Sequence, residues 1–241
     1  MCRINIEHMN FYYGRNKILD DINIKISENE CVGLIGANGV GKSTLLKLMV
    51  GLLDRYEGEI LINKKKLVKE NFPDIRKETG YVFQDSDSQL FMSTVYEDVA
   101  FGPRNYGYDE KEIEKRVENA LKSVNIEKLK TRQIYRMSGG EKKLASIAVI
   151  LAMEPEIILL DEPSVALDPR NRRNLINILN KMNKLKIIAS HDLDMIMDTC
   201  SRTILLCDGK IIKDGSTKDI LTNKVLLEEN GLELPLSLYN K

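Results

Sequence analysis

The sequence predicts an α/β fold in which a sheet of buried strands is interrupted by a block of helices and then resumes. Three observations predict it. The run Cys31-Val32-Gly33-Leu34-Ile35 is short, continuous and apolar, as strands buried on both faces are. The middle of the chain then switches to helical spacing. Strand-like runs return at 157–160, 186–189 and 203–206.

Taken in order, the N-terminus Met1-Cys2-Arg3-Ile4-Asn5-Ile6-Glu7 alternates polar and apolar, and Ile22, Ile24 and Ile26 repeat that period. After the apolar run at Cys31, residues 42–50 read as a helix burying Leu45, Leu46, Leu48 and Met49. Residues 59–62 and 79–83 are further strand candidates. Asp109 with Glu112 three residues on predicts a capping box, followed by Ile113, Val117, Ala120, Leu121 and Val124 on one helix face. Ser138 opens another helix with Leu144, Ile147, Ala148 and Leu151 on a stripe. A small helix is expected after Gly215, around Leu221, Val225, Leu226 and Leu227. The chain has no internal repeat or low-complexity linker, so the helical block should pack against the sheet.

Composition narrows the class. With 241 residues, 43% of them hydrophobic, the chain can bury a large core. Lys plus Arg and Asp plus Glu balance at 36 each, which gives no overall electrostatic footprint for nucleic acid. Cys2, Cys31, Cys200 and Cys207 lack zinc-site spacing, and Cys31 and Cys207, inside apolar runs, are expected to be buried free thiols in a reducing compartment. No apolar stretch approaches the roughly 20 residues a bilayer span needs, and the N-terminus lacks a signal-peptide core. The expectation is a soluble chain that meets a membrane only through partners.

Gly36-Ala37-Asn38-Gly39-Val40-Gly41-Lys42-Ser43, followed by Thr44, has the Gly-x4-Gly-Lys-Ser pattern and lies between a strand and a helix. Its glycines let backbone N–H groups turn towards phosphates, and the helix N-terminus adds positive potential. Lys42 should reach the β- and γ-phosphates and Ser43 should ligate Mg²⁺. The plainer alternative is a Gly-rich turn before a helix. Asp161 and Glu162 end an apolar strand, where α/β sheets present ligands. Asp161 suits Mg²⁺ and Glu162 suits polarising a water; alternatively both close an acidic turn ahead of Pro163. Ser138-Gly139-Gly140-Glu141 is a second anion-binding helix start or a plain turn and cap. As an anion site, it serves the same nucleotide or completes a site on another copy. His191 follows an apolar run and, alone, reads as a strand-end histidine.

Together these residues, with Gln84, Met137, Ala166-Leu167-Asp168 and Leu160-Asp161-Glu162-Pro163, resemble ABC transporter ATPases in order and spacing over essentially the whole chain. The resemblance implies a P-loop NTPase, RecA-like core with an antiparallel β subdomain and an inserted helical subdomain. The core would take about 1–84 and 155–215, the helical signature subdomain about 85–154, and a short C-terminal extension about 216–241. It implies ATP and Mg²⁺ as ligands, with Ser43, Gln84 and Asp161 at the metal and Glu162 and His191 as the catalytic pair. It makes Tyr13 the aromatic against adenine. It gives the signature Ser138-Gly139-Gly140-Glu141 a role in trans, with Asp168 in a loop crossing the interface of two ATPase subunits.

A finer resemblance is to energy-coupling factor transporter ATPases of the cobalt/nickel branch. It rests on Val82-Phe83-Gln84-Asp85, Gln89-Leu90-Phe91, the segment from Thr94 to Pro103, and Leu232-Glu233-Leu234-Pro235. It implies an importer of cobalt or nickel, with a vitamin as the other option. The partners would be a second ATPase, identical or paralogous, a membrane scaffold (T-type) protein docked near 84–104, and a membrane protein that captures the substrate. The chain would sit on the cytoplasmic face. Met137, Glu141, Leu144 (where Arg is usual) and Val165-Ala166 depart from the family pattern without removing a phosphate ligand. The alternative is a soluble ABC-type ATPase outside transport. Against it stand a single cassette and the absence of coiled-coil heptads. A P-loop GTPase lacks its Asn-Lys-x-Asp here.

Overall fold

A computed structural model describes residues 2–239. Met1, at the head of the alternating N-terminus, and the last two residues of the expected C-terminal extension lie outside them. The alternating N-terminus forms β1 (Cys2–Tyr13), which pairs antiparallel with β2 (Asn16–Ser27). The apolar run becomes β3 (Cys31–Ile35), and the phosphate loop leads into α1 (Lys42–Met49). Then come β4 (Tyr56–Ile62), β5 (Lys65–Lys66), α2 (Phe72–Glu78) and β6 (Thr79–Val82). Three helices follow: α3 (Val95–Asn105), α4 (Glu110–Ser123) and α5 (Gly139–Leu151). The sheet resumes with β7 (Ile157–Asp161), α6 (Pro169–Lys181), β8 (Leu185–Ala189), α7 (Leu193–Thr199), β9 (Arg202–Cys207) and β10 (Lys210–Ser216). Two short helices, α8 (Thr217–Leu221) and α9 (Lys224–Glu229), precede the tail.

The strands form two sheets. One is antiparallel, in the order β2-β1-β4-β5; the other runs β10-β9-β3-β8-β7-β6, parallel except for β10. Alternation along β7 explains why its sequence is uniformly apolar. Ile157 and Leu159 face the core shared with the antiparallel sheet and α1, while Ile158 and Leu160 face the core of the helical segment. The strand is therefore buried throughout, and its C-terminal end delivers Asp161 to the edge where β3 ends in the phosphate loop.

Two expectations are corrected. Asp109 does cap α4, accepting from the Glu112 backbone N–H at 2.9 Å, but Glu112 does not complete a box. Its carboxylate instead accepts from Arg116 Nε at 2.8 Å, one turn on. Complete boxes occur at Thr94 with Glu97 and at Ser138 with Glu141. Cys31 and Cys207 are only half-buried because they stand at strand ends. The buried thiol is Cys200, with its Sγ 3.5 Å from that of Cys31, and all four cysteines are free. In the tail, Leu221 and Leu227 are buried while Val225 is exposed.

Candidate functional site

The phosphate loop takes its shape from glycine where no other residue fits. Gly36 has φ +151°, and a Cβ there would lie 2.2 Å from the carbonyl oxygen of Leu206 on β9. That oxygen belongs to a packed strand and cannot yield. A Gly36→Ala variant is expected to lose about 1–3 kcal/mol of stability and to bind ATP poorly. Thermal unfolding and nucleotide titration check both, and an unchanged melting temperature with normal binding would refute the requirement.

Lys42, at the first position of α1, is buried and donates from Nζ to the carbonyls of Gly36 (2.7 Å) and Ala37 (3.0 Å). Burial pushes its ammonium pKa down, against the opposing charges of Glu162 and Asp161. Ser43 donates from Oγ to Asp161 Oδ1 at 2.8 Å, so the start of α1 and the end of β7, far apart in sequence, meet at one point. A hydroxyl and a carboxylate are hard oxygen donors of the kind Mg²⁺ accepts beside phosphates, and the pair fits that ion. The other oxygen, Asp161 Oδ2, accepts from the Tyr81 hydroxyl at 2.8 Å. Burial and the Asp161 charge raise the Tyr81 pKa, which keeps it a donor.

Glu162 follows with φ +45°, an uncommon conformation for a non-glycine and one that turns the chain sharply at the strand end. Its Oε2 accepts from Ser190 Oγ and the His191 backbone N–H, both at 3.2 Å, and lies 2.8 Å from His191 Nδ1. The histidine's other ring nitrogen has no protein partner among the described residues. The buried carboxylate is thus aimed by two fixed donors and a ring.

Lys42, Ser43, Glu162 and His191 line one cleft of about 1380 Å³ together with Asn38 and Gln84 among others, whereas Asp161 is buried behind Ser43 and does not line it. Thr44, Arg172 and Asp192 also line it. Arg172 holds Asp192 through two bonds of 2.5 and 2.6 Å, a bidentate pair that sequence reading did not single out. Gln84 faces the cleft, but no hydrogen bond joins its side chain to Ser43 or Asp161 among the described residues. Tyr13 is 48% exposed, edge-on to Phe11 with ring centroids 4.9 Å apart, and does not line the cleft.

Nor do Ser138, Gly139, Gly140 and Glu141 reach the cleft of their own chain. Ser138 caps α5, while Glu141 Oε2 accepts from the Ser138 backbone N–H at 2.8 Å and from its hydroxyl at 3.0 Å. Gly140 packs so tightly on the start of α6 that a Cβ would meet Asn171 Nδ2 at 2.7 Å. Asp168 caps α6 through the Asn171 backbone N–H at 2.8 Å, a bond that holds its carboxyl below the usual range. Leu144, where the family resemblance leads one to expect Arg, is buried in the apolar core. The neighbouring Lys143 is the residue that reaches the Gln84 loop, and burial pushes its ammonium down to about 8 against Asp161 and Asp85. Among the described residues, no helix is long and apolar enough to cross a membrane.

A family model described as "ABC transporter" matches residues 19–165. The chain belongs to the ABC transporter family. It is an ATP-binding subunit and an ATPase of that family. The ATP-binding protein of a putative ABC transporter in Geobacter sulfurreducens is 45% identical, with 94% of this chain and 91% of the relative covered. The energy-coupling factor transporter ATP-binding protein EcfA of Carboxydothermus hydrogenoformans is also 45% identical, covering 97% and 87%. Among solved structures, cbiO1 from Clostridium perfringens, described as part of the ABC transporter complex cbiONQ, superposes with a TM-score of 0.85. It is 36% identical, with 95% and 94% of the two chains covered. A dimeric ATP-binding cassette in a post-hydrolysis state with ADP and Pi gives a TM-score of 0.80 at 28% identity, covering 89% and 98%.

Proposed function

We propose that this ATPase energises an energy-coupling factor type importer of a micronutrient, cobalt or nickel in the first place and a vitamin in the second. The observation that carries the reading is the fit to cbiO1 over nearly the whole chain, in company with relatives named EcfA. In this reading the phosphate loop from Gly36 to Ser43, with Thr44, holds the ATP phosphates. Lys42 turns from its own loop carbonyls to the β- and γ-phosphates. Ser43 and Asp161 hold Mg²⁺, with Gln84 beside it; the ion neutralises phosphate charge and fixes its geometry. Glu162 accepts the proton of the attacking water, while His191 orients Glu162 and faces the γ-phosphate. Tyr13 stacks on the adenine.

Two subunits, identical or paralogous, would meet head to tail. Each would offer Ser138, Gly139, Gly140 and Glu141 to the partner's nucleotide, with Asp168 in the loop that crosses between them. The closed pair would then move a membrane scaffold protein on the cytoplasmic face, while a separate membrane protein captures the substrate.

The docking ground is the exposed aromatic pair Phe91 and Phe101, with Phe91 65% exposed and the rings edge-to-face at 4.9 Å. Exposed aromatics of this kind anchor protein interfaces. Purification from membranes, with co-bound proteins identified by mass spectrometry, tests the assignment. Recovery of a scaffold and a substrate-binding membrane protein is expected; recovery of ribosomes instead would overturn the transport reading. Phe91→Asp is expected to lose those partners while still binding ATP.

A further inference from the structure

Helix α5, capped by Ser138, is tied to the Gln84 loop at three levels. Lys143, only 2% exposed, donates from Nζ to the carbonyls of Phe83 (3.0 Å) and Gln84 (2.7 Å). Gln89, also buried, donates from Nε2 to the Ser146 carbonyl at 2.7 Å and accepts from the Phe83 backbone N–H at 3.2 Å. At the surface, Lys142 reaches Asp87 Oδ1 at 2.6 Å. The exposed pair contributes little, because solvent screens it. The two buried contacts are of another kind, since breaking either leaves a polar group unmade inside the protein.

Lys143 is the unusual member. No carboxylate forms an ion pair with it among the described residues; its charge is held by two carbonyl dipoles, with Asp161 and Asp85 acting at longer range. Burying an ammonium in this way costs free energy that an apolar side chain would not. The gain is geometric. Lys143 lies five residues beyond Ser138, or about 7.5 Å along the helix at 1.5 Å per residue. Leu144, next to it, is turned into the apolar core and anchors α5 from the other side.

We propose that Lys143 is a positioning residue that locks the Gln84 loop to the signature helix, so that displacement at Gln84 reaches Ser138 as a rigid movement of α5. The proposal rests on the trans role of Ser138 given above. It makes the loop and the helix one lever, with Gln84 at the docking side and Ser138 at the partner's nucleotide. It touches no phosphate, so its loss should spare ATP affinity and slow turnover.

Steady-state ATPase kinetics on Lys143→Met and Lys143→Arg, with hydrogen exchange on the same proteins, test it. For Lys143→Met, kcat is expected to fall about tenfold with KM for ATP changed less than about twofold. Lys143→Arg should recover most of the loss. Amides of 84–89 should exchange faster in Lys143→Met while those of α5 stay protected. Wild-type kcat in Lys143→Met, equal defects in both variants, or loss of protection throughout α5 would each overturn the proposal. Should the unmodified chain fail to hydrolyse ATP, the assignment of the site falls instead, and hydrogen exchange alone still decides whether Lys143 locks the loop.

Discussion

Glu162→Gln is expected to abolish turnover while leaving ATP-dependent dimerisation intact. The structure explains why the effect should be so selective. The Glu162 carboxylate is buried, and one oxygen is already held by Ser190 Oγ, the His191 backbone N–H and His191 Nδ1. A glutamine of the same length can occupy that space, and its carbonyl oxygen can accept the same bonds. It cannot take a proton from water. Removing a positioned general base costs about 10²- to 10⁴-fold in rate, which for an ATPase of ordinary speed is loss of turnover over the time of an assay. Lys42, Ser43 and Asp161 are untouched, so nucleotide affinity should persist and the closed pair should accumulate. Phosphate release and size-exclusion chromatography with ATP check the two halves. Normal hydrolysis by the variant, with membrane partners present, would remove Glu162 from the role of base.

Much of this was legible in the sequence because its signals are local. The phosphate loop lies between β3 and α1 as its mechanism requires, and β7 ends at Asp161 with Glu162 directly after it, as an apolar run closing in carboxylates suggests. What was not legible depends on which strands become neighbours. The order β3-β8-β7-β6 sets Tyr81 on β6 beside Asp161, 80 residues away in sequence, and brings Ser190 and His191 at the end of β8 to Glu162. A tyrosine inside an apolar strand signals only core until its partner is known. Lys143 was hidden for the same reason. Beside a helix start it reads as a solvated charge, and only the packing of α5 on the Gln84 loop turns it inward. The half-made box at Asp109 failed for a local reason that pattern matching overlooks, since Arg116 competes for Glu112 one turn along.

The placement of Ser138 outside its own cleft leads to the second large effect, a complementation that only a trans arrangement can produce. Ser138→Asp keeps an acceptor for the Glu141 backbone N–H at the start of α5, while it loses the hydroxyl's bond to the Glu141 carboxylate and sets a like charge against it. It also sets a negative charge where the partner's polyphosphate would lie. At about 4 Å that repulsion costs about 1–4 kcal/mol across the dielectric range from bulk water to a protein surface, enough to weaken nucleotide trapping by tenfold or more. Lys42→Ala removes the phosphate ligand from the other half of the site. With Glu162→Gln added to both so that bound ATP is retained, each variant alone should trap little nucleotide, since a symmetric dimer damages both of its composite sites. Mixed together, they form dimers in which one site joins the damaged loop to the damaged signature. The other site joins an intact loop to an intact signature and should trap one ATP per mixed dimer. Sites complete within a single chain would give no recovery, because every chain in the mixture carries a lesion. Trapping stoichiometry in isolated mixed dimers therefore separates the two arrangements, and its absence there would return Ser138 to the role of a helix cap.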